Sequence, residues 1–273
     1  MRIAVVAPSS RFSREAAERV TAIAAKRHPE VALHFHPQCF LAHNHFAGSD
    51  NERGHALVEV ANDPGFDAVW FARGGYGACR IAEAAIGRMG KAAREKAWLG
   101  YSDAGYLLAG MARAGFARLA HGPMPQDAMR AGGEAAIVRA LDWLTAGSPE
   151  ALEPGLDPQG RHLAFNLAVI GQLLGTPLEP DFTDRILLIE EVSEHMYAFD
   201  RSMFHLTANP NVRRAAGLRL GRVSDILPND PDFGEGEEEI VRRWCAGAQI
   251  PYLGRADIGH DSANKVVPFG PLS

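Results

Sequence analysis

Four short stretches hold residue types that can do chemistry. In "AWLGYSDAGYLLAG", Ala97 to Gly110, Ser102 and Asp103 stand between an apolar run and the start of a helical pattern. Backbone N–H groups converge at a helix start, so an alkoxide or tetrahedral oxyanion forming on Ser102 would be stabilised there. The same place favours a serine N-cap, and the local residues leave both roles open. The G-x-S-x-G elbow is not met, because Gly100 fits and Ala104 does not. In "RGGYG", Arg73 to Gly77, three glycines around a tyrosine permit positive φ and a close backbone approach. This suits a phosphate cradle, an amide donor to an oxyanion hole, or a plain tight turn. Neither G-x-G-x-x-G nor a Walker lysine is present. "RILLIEEVSEH" ends an apolar run with Glu190 and Glu191, and adjacent strand residues face opposite sides, so one carboxylate at most enters a given cleft. "ADIGHDSANKVVPFG" sets His260 in a loop between a glycine and an aspartate. A fifth cluster, His34, His36, His43 and His45, forms two H-x-H pairs that would suit a transition metal, but no acidic or cysteine ligand joins them at helical or knuckle spacing.

These residues need elements to position them. Ile3 to Ala7 is a compact apolar run ended by Pro8 and two serines, and "SREAAERVTAIAAKRH" follows with apolar residues at helical spacing and basic residues in its last turn. Val31 to Phe35 reads as a second strand. Ala68 to Phe71, the glycine turn and a helix repeat the plan, "AWLGYSDAGYLLAGMARAGF" repeats it again, and Ala117 to Ala120 is a further short strand. Alternating strands and helices predict an α/β fold with a parallel sheet covered on both faces. In such sheets ligands gather at the carboxyl ends of the strands, where the glycine turn and Ser102 fall. "SPEALEPGLDPQG", Ser148 to Gly160, packs prolines and glycines without periodicity and predicts a linker. The expected division is residues 1–147 as an α/β domain carrying the serine, 148–160 as linker, and 161–273 as a smaller β-rich domain carrying the acid and the histidine. In that second part "FDRSMFHLTA" and "EEEIVRRWCAG" look helical.

Composition narrows the partners. The chain has 273 residues, 47% of them hydrophobic, and a formal charge of -5, with no basic stripe for nucleic acid or an anionic membrane surface. A peptide or small molecule is the expected partner. Cys39, Cys79 and Cys245 lie far apart with no C-x-x-C pair, which predicts reduced thiols and a cytoplasmic setting. The N-terminus lacks a secretory pattern, and no apolar run approaches the roughly 20 residues that span a bilayer.

Taken in order, the motifs resemble those of the LD-carboxypeptidases, serine peptidases of peptidoglycan recycling that also include the microcin C self-immunity peptidase. The resemblance runs through "IAVVAPSS", "FAGSDNERGHALVEVANDPGFDAVWFARGGYGACR", "GYSDAG", "HGPM", "GQLLGTPLEPDFTDRILLIEEVSEHMYAFDR" and "IGHDSANKVVPFG". It implies a catalytic triad with Ser102 as nucleophile, His260 as base and Glu190 as its carboxylate partner. It also implies oxyanion donors from the backbone N–H of Asp103 and of Gly75, a site between the two domains, no metal or other cofactor, and a homodimer. The expected reaction is hydrolysis of the LD-amide that releases terminal D-alanine from murein tetrapeptide. Two departures from the family pattern stand out. Gly105 replaces a threonine or serine, and Ala164 and Phe165 replace a Gly-Gly pair before Asn166 and Leu167. Alternatives are a microcin-immunity-like amidase acting on an aminoacyl or peptidyl sulfamoyl-adenylate, a non-catalytic anion- or nucleotide-binding module built on "RGGYG", and a histidine-cluster metal hydrolase.

Overall fold

The computed structural model of the chain describes residues 1–157 and 161–270; the last residues of the expected linker and of the expected second domain lie outside the described residues. Two sheets organise it. The first has six strands in the order β10-β5-β4-β3-β1-β2, with β1 (Arg2–Val6), β2 (Ala32–Phe35), β3 (Ala68–Phe71), β4 (Ala97–Gly100), β5 (Leu119–His121) and β10 (Val267–Pro268). All pairs are parallel except β10 with β5. The second has four parallel strands in sequence order, β6 (His162–Asn166), β7 (Ile186–Val192), β8 (Gly217–Ser224) and β9 (Tyr252–Arg255). The helices are α1 (Arg14–Arg27), α2 (Asp50–Asn62), α3 (Ala82–Ile86), α4 (Lys91–Glu95), α5 (Gly105–Arg113), α6 (Gly133–Ala146), α7 (Leu167–Leu173), α8 (Met196–Ala208) and α9 (Glu237–Ala248).

The strand assignments follow from burial on both faces. In β3 and β4 every side chain is buried, as continuous apolar runs in a covered parallel sheet require. Alternate residues of β1 divide between two cores: Ile3 and Val5 pack with α1 and α6, and Ala4 and Val6 with α2, α3 and α5. The second of these cores continues into the other sheet through Phe165, Leu187 and Leu220. Helix α1 is capped by Ser13, whose hydroxyl accepts from Ala16 N–H at 3.1 Å. Helix α2 went unread in the sequence although Ser49 and Glu52 form a capping box. The second part carries three helices beside its strands, and its last strand, β10, returns to the first sheet beside β5, so the chain crosses between the two sheets twice.

Candidate active site

The site is assembled where strands of both sheets end. Beyond β4 the chain makes a 3-10 turn, Ser102–Ala104, that leads into α5. Ser102 has φ +58°, a left-handed conformation that costs a non-glycine residue about 1–2 kcal/mol and is held only by its surroundings. It is not a cap residue, for Tyr101 caps the turn and Ala104 caps α5. Its hydroxyl lies 3.0 Å from His260 Nε2, and His260 Nδ1 lies 2.5 Å from Glu190 Oε2. Residues 158 positions apart thus form one hydrogen-bonded row, which excludes the reading of Ser102 as a helix cap alone.

The acid and the histidine are held by different means. Glu190 is fully buried near the end of β7. Opposite it β8 carries one extra residue, for Ile189 pairs with Leu220 while Glu191 pairs with Val223. Such bulges re-aim side chains beside functional sites. Here it lays Gly221 against Glu190, where an added Cβ would come within 3.0 Å of the Glu190 Cβ and 2.8 Å of the Ile258 carbonyl. It also turns Arg222 onto the histidine loop. Arg222 grips Asp261 with two nitrogens, at 2.5 and 2.9 Å, and donates a third bond to Asp257, bracketing His260 on either side. Asn264 accepts from Gly259 N–H at 3.1 Å, and Arg139 donates to the carbonyls of Ser262 and Asn264, both at 3.0 Å.

Electrostatics match this geometry. Burial alone would lower the His260 pKa, but the Glu190 carboxylate outweighs it and raises the imidazole above its ordinary value. The Tyr101 ring lies 4.9 Å from the imidazole and its hydroxyl donates to Asp127 at 2.9 Å. His121, at the end of β5, is completely buried and burial drives its pKa down to about 4, so it is neutral beside Asn264 at 3.2 Å. Glu191 faces the other way, as strand alternation requires. It accepts from Asn166 Nδ2 and Ala168 N–H at 2.7 Å each, and burial pushes its carboxyl up to about 7.

The glycine turn closes on the serine from the first sheet. A Cβ built on Gly74 would fall 2.7 Å from Ser102 Oγ and 3.5 Å from Asp103 N, so Gly74 is the residue whose missing side chain lets the turn meet the serine. Gly75, with φ +107°, lines the cleft and packs against Ser10. The cleft, about 640 Å³, is bounded by Gly75, Ser102 and Tyr106 on one side and by Asn166, Val169 and His260 on the other. Its described walls carry Glu83, Glu191 and Glu194 but no lysine, arginine or tryptophan. Trp70 and Trp98 are fully buried, and Trp244 packs on Phe204 of α8. The two departures from the family pattern meet here: a Cβ on Gly105 would lie 3.0 Å from Val169 and 3.3 Å from Phe165. The large residue at 165 occupies the room that a larger residue at 105 would need.

The histidine cluster is dispersed. His34 packs on Phe66, His36 faces Glu59, and His45 meets Ser10 Oγ. Among the described residues no group of three or more metal-ligating side chains converges. His121, Arg139 and Arg222, which brace the histidine loop, were not signalled by sequence spacing, since their partners lie 35 or more residues away.

The comparisons with known proteins agree with this architecture. Residues 3–122 match the LD-carboxypeptidase N-terminal domain and residues 159–272 the LD-carboxypeptidase C-terminal domain. The chain belongs to the LD-carboxypeptidase family of peptidases. It is 26% identical over 290 residues to the murein tetrapeptide carboxypeptidase of Pseudomonas aeruginosa, covering 98% of this chain and 91% of that one. It is 28% identical over 238 residues to a protein of Bacillus subtilis named a probable murein peptide carboxypeptidase, covering 84% and 74%. The crystal structure of muramoyltetrapeptide carboxypeptidase from Oxalobacter formigenes shares the fold with a TM-score of 0.82 at 22% identity, over 99% of this chain and 93% of that one. The microcin C7 self immunity protein MccF shares it with a TM-score of 0.78 at 17% identity, over 98% and 91%. Among the described residues no helix is long and apolar enough to cross a membrane.

Proposed function

We propose that the protein is a serine carboxypeptidase that hydrolyses the amide between an L-configured centre and a terminal D-amino acid, releasing D-alanine from murein tetrapeptide. The observation that carries this reading is the continuous row Ser102–His260–Glu190, with 3.0 and 2.5 Å between successive heteroatoms. His260 takes the Ser102 proton as the oxygen attacks the carbonyl carbon. Glu190 fixes the imidazole tautomer and stabilises its charged form. The backbone N–H groups of Asp103 and Gly75 receive the oxyanion. His260 then gives the proton to the leaving amine, and a water molecule repeats the sequence to free the acyl group. Activation of the serine by the histidine is proton transfer and needs no metal.

Support for a murein peptide comes from the names of the full-length relatives. The protein would act in the cytoplasm as a homodimer. For the sulfamoyl-adenylate alternative the described cleft walls offer Tyr76 and Tyr106 but no tryptophan to stack on an adenine. The deciding assay sets wild type and Ser102→Ala against free murein tetrapeptide, its L-alanine-terminated isomer and an acyl-sulfamoyl adenylate. D-alanine release from the first alone, reduced at least about 10⁴-fold in the variant, is expected. Turnover of the adenylate alone, or undiminished release by the variant, overturns the reading.

A further inference from the structure

One peptide unit in the glycine turn is held at both ends by buried charged side chains. Arg53, fully buried, donates from Nη1 to the Gly77 carbonyl at 2.9 Å and to the Pro8 carbonyl, and from Nη2 to Asp50. Its guanidinium lies 4.6 Å from the Phe46 ring. The N–H of the same unit, that of Ala78, donates to Asp103 Oδ2 at 2.8 Å, and that oxygen also accepts the Ser9 hydroxyl. Asp103 is 3% exposed.

Such a grip has work to do. Gly75 and Gly77 stand at φ +107° and +132°, and a turn of glycines can rotate its peptide units at little steric cost. An oxyanion hole needs the opposite property, donors fixed before the charge develops. Asp103 is suited to supply it, because the residue that offers its own N–H also ties down, through its side chain, the turn that offers the other.

We propose that the Asp103 carboxylate and the Arg53 guanidinium are positioning residues for the oxyanion hole, fixing the 77–78 peptide unit and with it the Gly74–Gly75 segment against Ser102. Neither side chain touches the reacting atoms. The inference rests on the reading of Ser102 as nucleophile.

The test uses Asp103→Ala, which removes the acceptor, Asp103→Asn, which keeps one, and Ser9→Ala. A noncovalent phosphinate analogue of the tetrapeptide reports binding of a tetrahedral oxyanion, and the unreacted tetrapeptide is bound in a Ser102→Ala background. Asp103→Ala is expected to lose about 10²–10³-fold in kcat with KM within about threefold, the size of one lost oxyanion donor. Phosphinate affinity should fall in parallel and tetrapeptide affinity should not, while Asp103→Asn recovers at least about tenfold of the loss. Acylation of Ser102 by a p-nitrophenyl ester reads the hole whatever the natural peptide is, so a wild type inactive on tetrapeptide would sink the substrate reading and leave this inference open to that arm. Should Asp103→Ala fail to fold, Ser9→Ala must show the same split on a smaller scale. Losses confined to KM or to tetrapeptide affinity, or ester acylation at the wild-type rate in folded variants, overturn the proposal.

Discussion

The Glu190 carboxylate beside His260 sets the pH dependence expected of the row. The base must be neutral to accept a proton, so kcat/KM rises with pH through the His260 pKa. The Glu190 carboxylate raises that pKa against the opposing effect of burial, which places the acid limb above the ordinary histidine value of 6.5. In Glu190→Gln the strongest effect opposing burial is gone and only the weaker pulls of Glu191 and Asp127 remain, so the limb should move to lower pH while the rate falls by up to about 10⁴-fold. Stability follows the reverse order. The pair contributes fully below the unfolded histidine pKa and its contribution is lost as pH rises through the raised folded value. A pH profile of wild type and variant checks this; an unmoved acid limb contradicts it. At this scale the sequence was informative about the serine, the acid and the histidine, because each sits in a motif with its own neighbours. It was silent on Arg53, Arg222 and the carboxylate of Asp103. Their partners come from other elements, and no local pattern marks an arginine that will be wholly buried.

The elements act as mounts, and the two departures from the family pattern show how closely they fit. Gly105 opens α5 and Phe165 stands in β6, yet an added Cβ on the glycine would approach the ring to 3.3 Å. Gly105→Thr should therefore destabilise the chain by about 1–3 kcal/mol through overpacking. Combined with Phe165→Gly, its cost should fall by about 1 kcal/mol or more relative to the sum of the single changes. Urea unfolding of the four proteins measures the coupling, and strict additivity would show that the two positions do not compensate. The alternating strands and helices of the first sheet were legible because burial on both faces writes continuous apolar runs. Helix α2 was not, its apolar face being too broken by charge to stand out, although its capping box was there to read. The two-residue β10 was too short to carry any period, and only the register with His121 and Ala120 reveals it.

For the whole molecule, the Ser102–His260–Glu190 row ties two sheets together. Ser102 follows a strand of the first, Glu190 stands near the end of a strand of the second, and His260 lies in the connection that leads from β9 back to β10. The apolar core is likewise shared, with Phe71, Trp98 and Leu107 in one cluster with Phe165, Leu187 and Leu220. Across the junction the Phe165 and Phe269 rings meet edge to face at 5.3 Å, and Arg185 donates to the Phe269 carbonyl at 3.1 Å. A core cut in this way exposes apolar surface on both halves at about 25 cal/mol per Å². Thermal unfolding should accordingly be one transition with equal calorimetric and van't Hoff enthalpies, with activity lost in step. Two resolved transitions would show instead that the sheets are independent units. The sequence announced two regions separated by a proline- and glycine-rich stretch, but it could not show that the end of the second completes the sheet of the first.

The most direct measurement is the covalent intermediate itself. Wild-type protein mixed with murein tetrapeptide, quenched in acid within the first turnovers and mapped by mass spectrometry should carry the tripeptide acyl group as an ester on Ser102. The label should be absent from Ser102→Ala and should form far more slowly in His260→Ala. Full turnover by the serine variant, or an acyl group found on any other residue, would contradict the account.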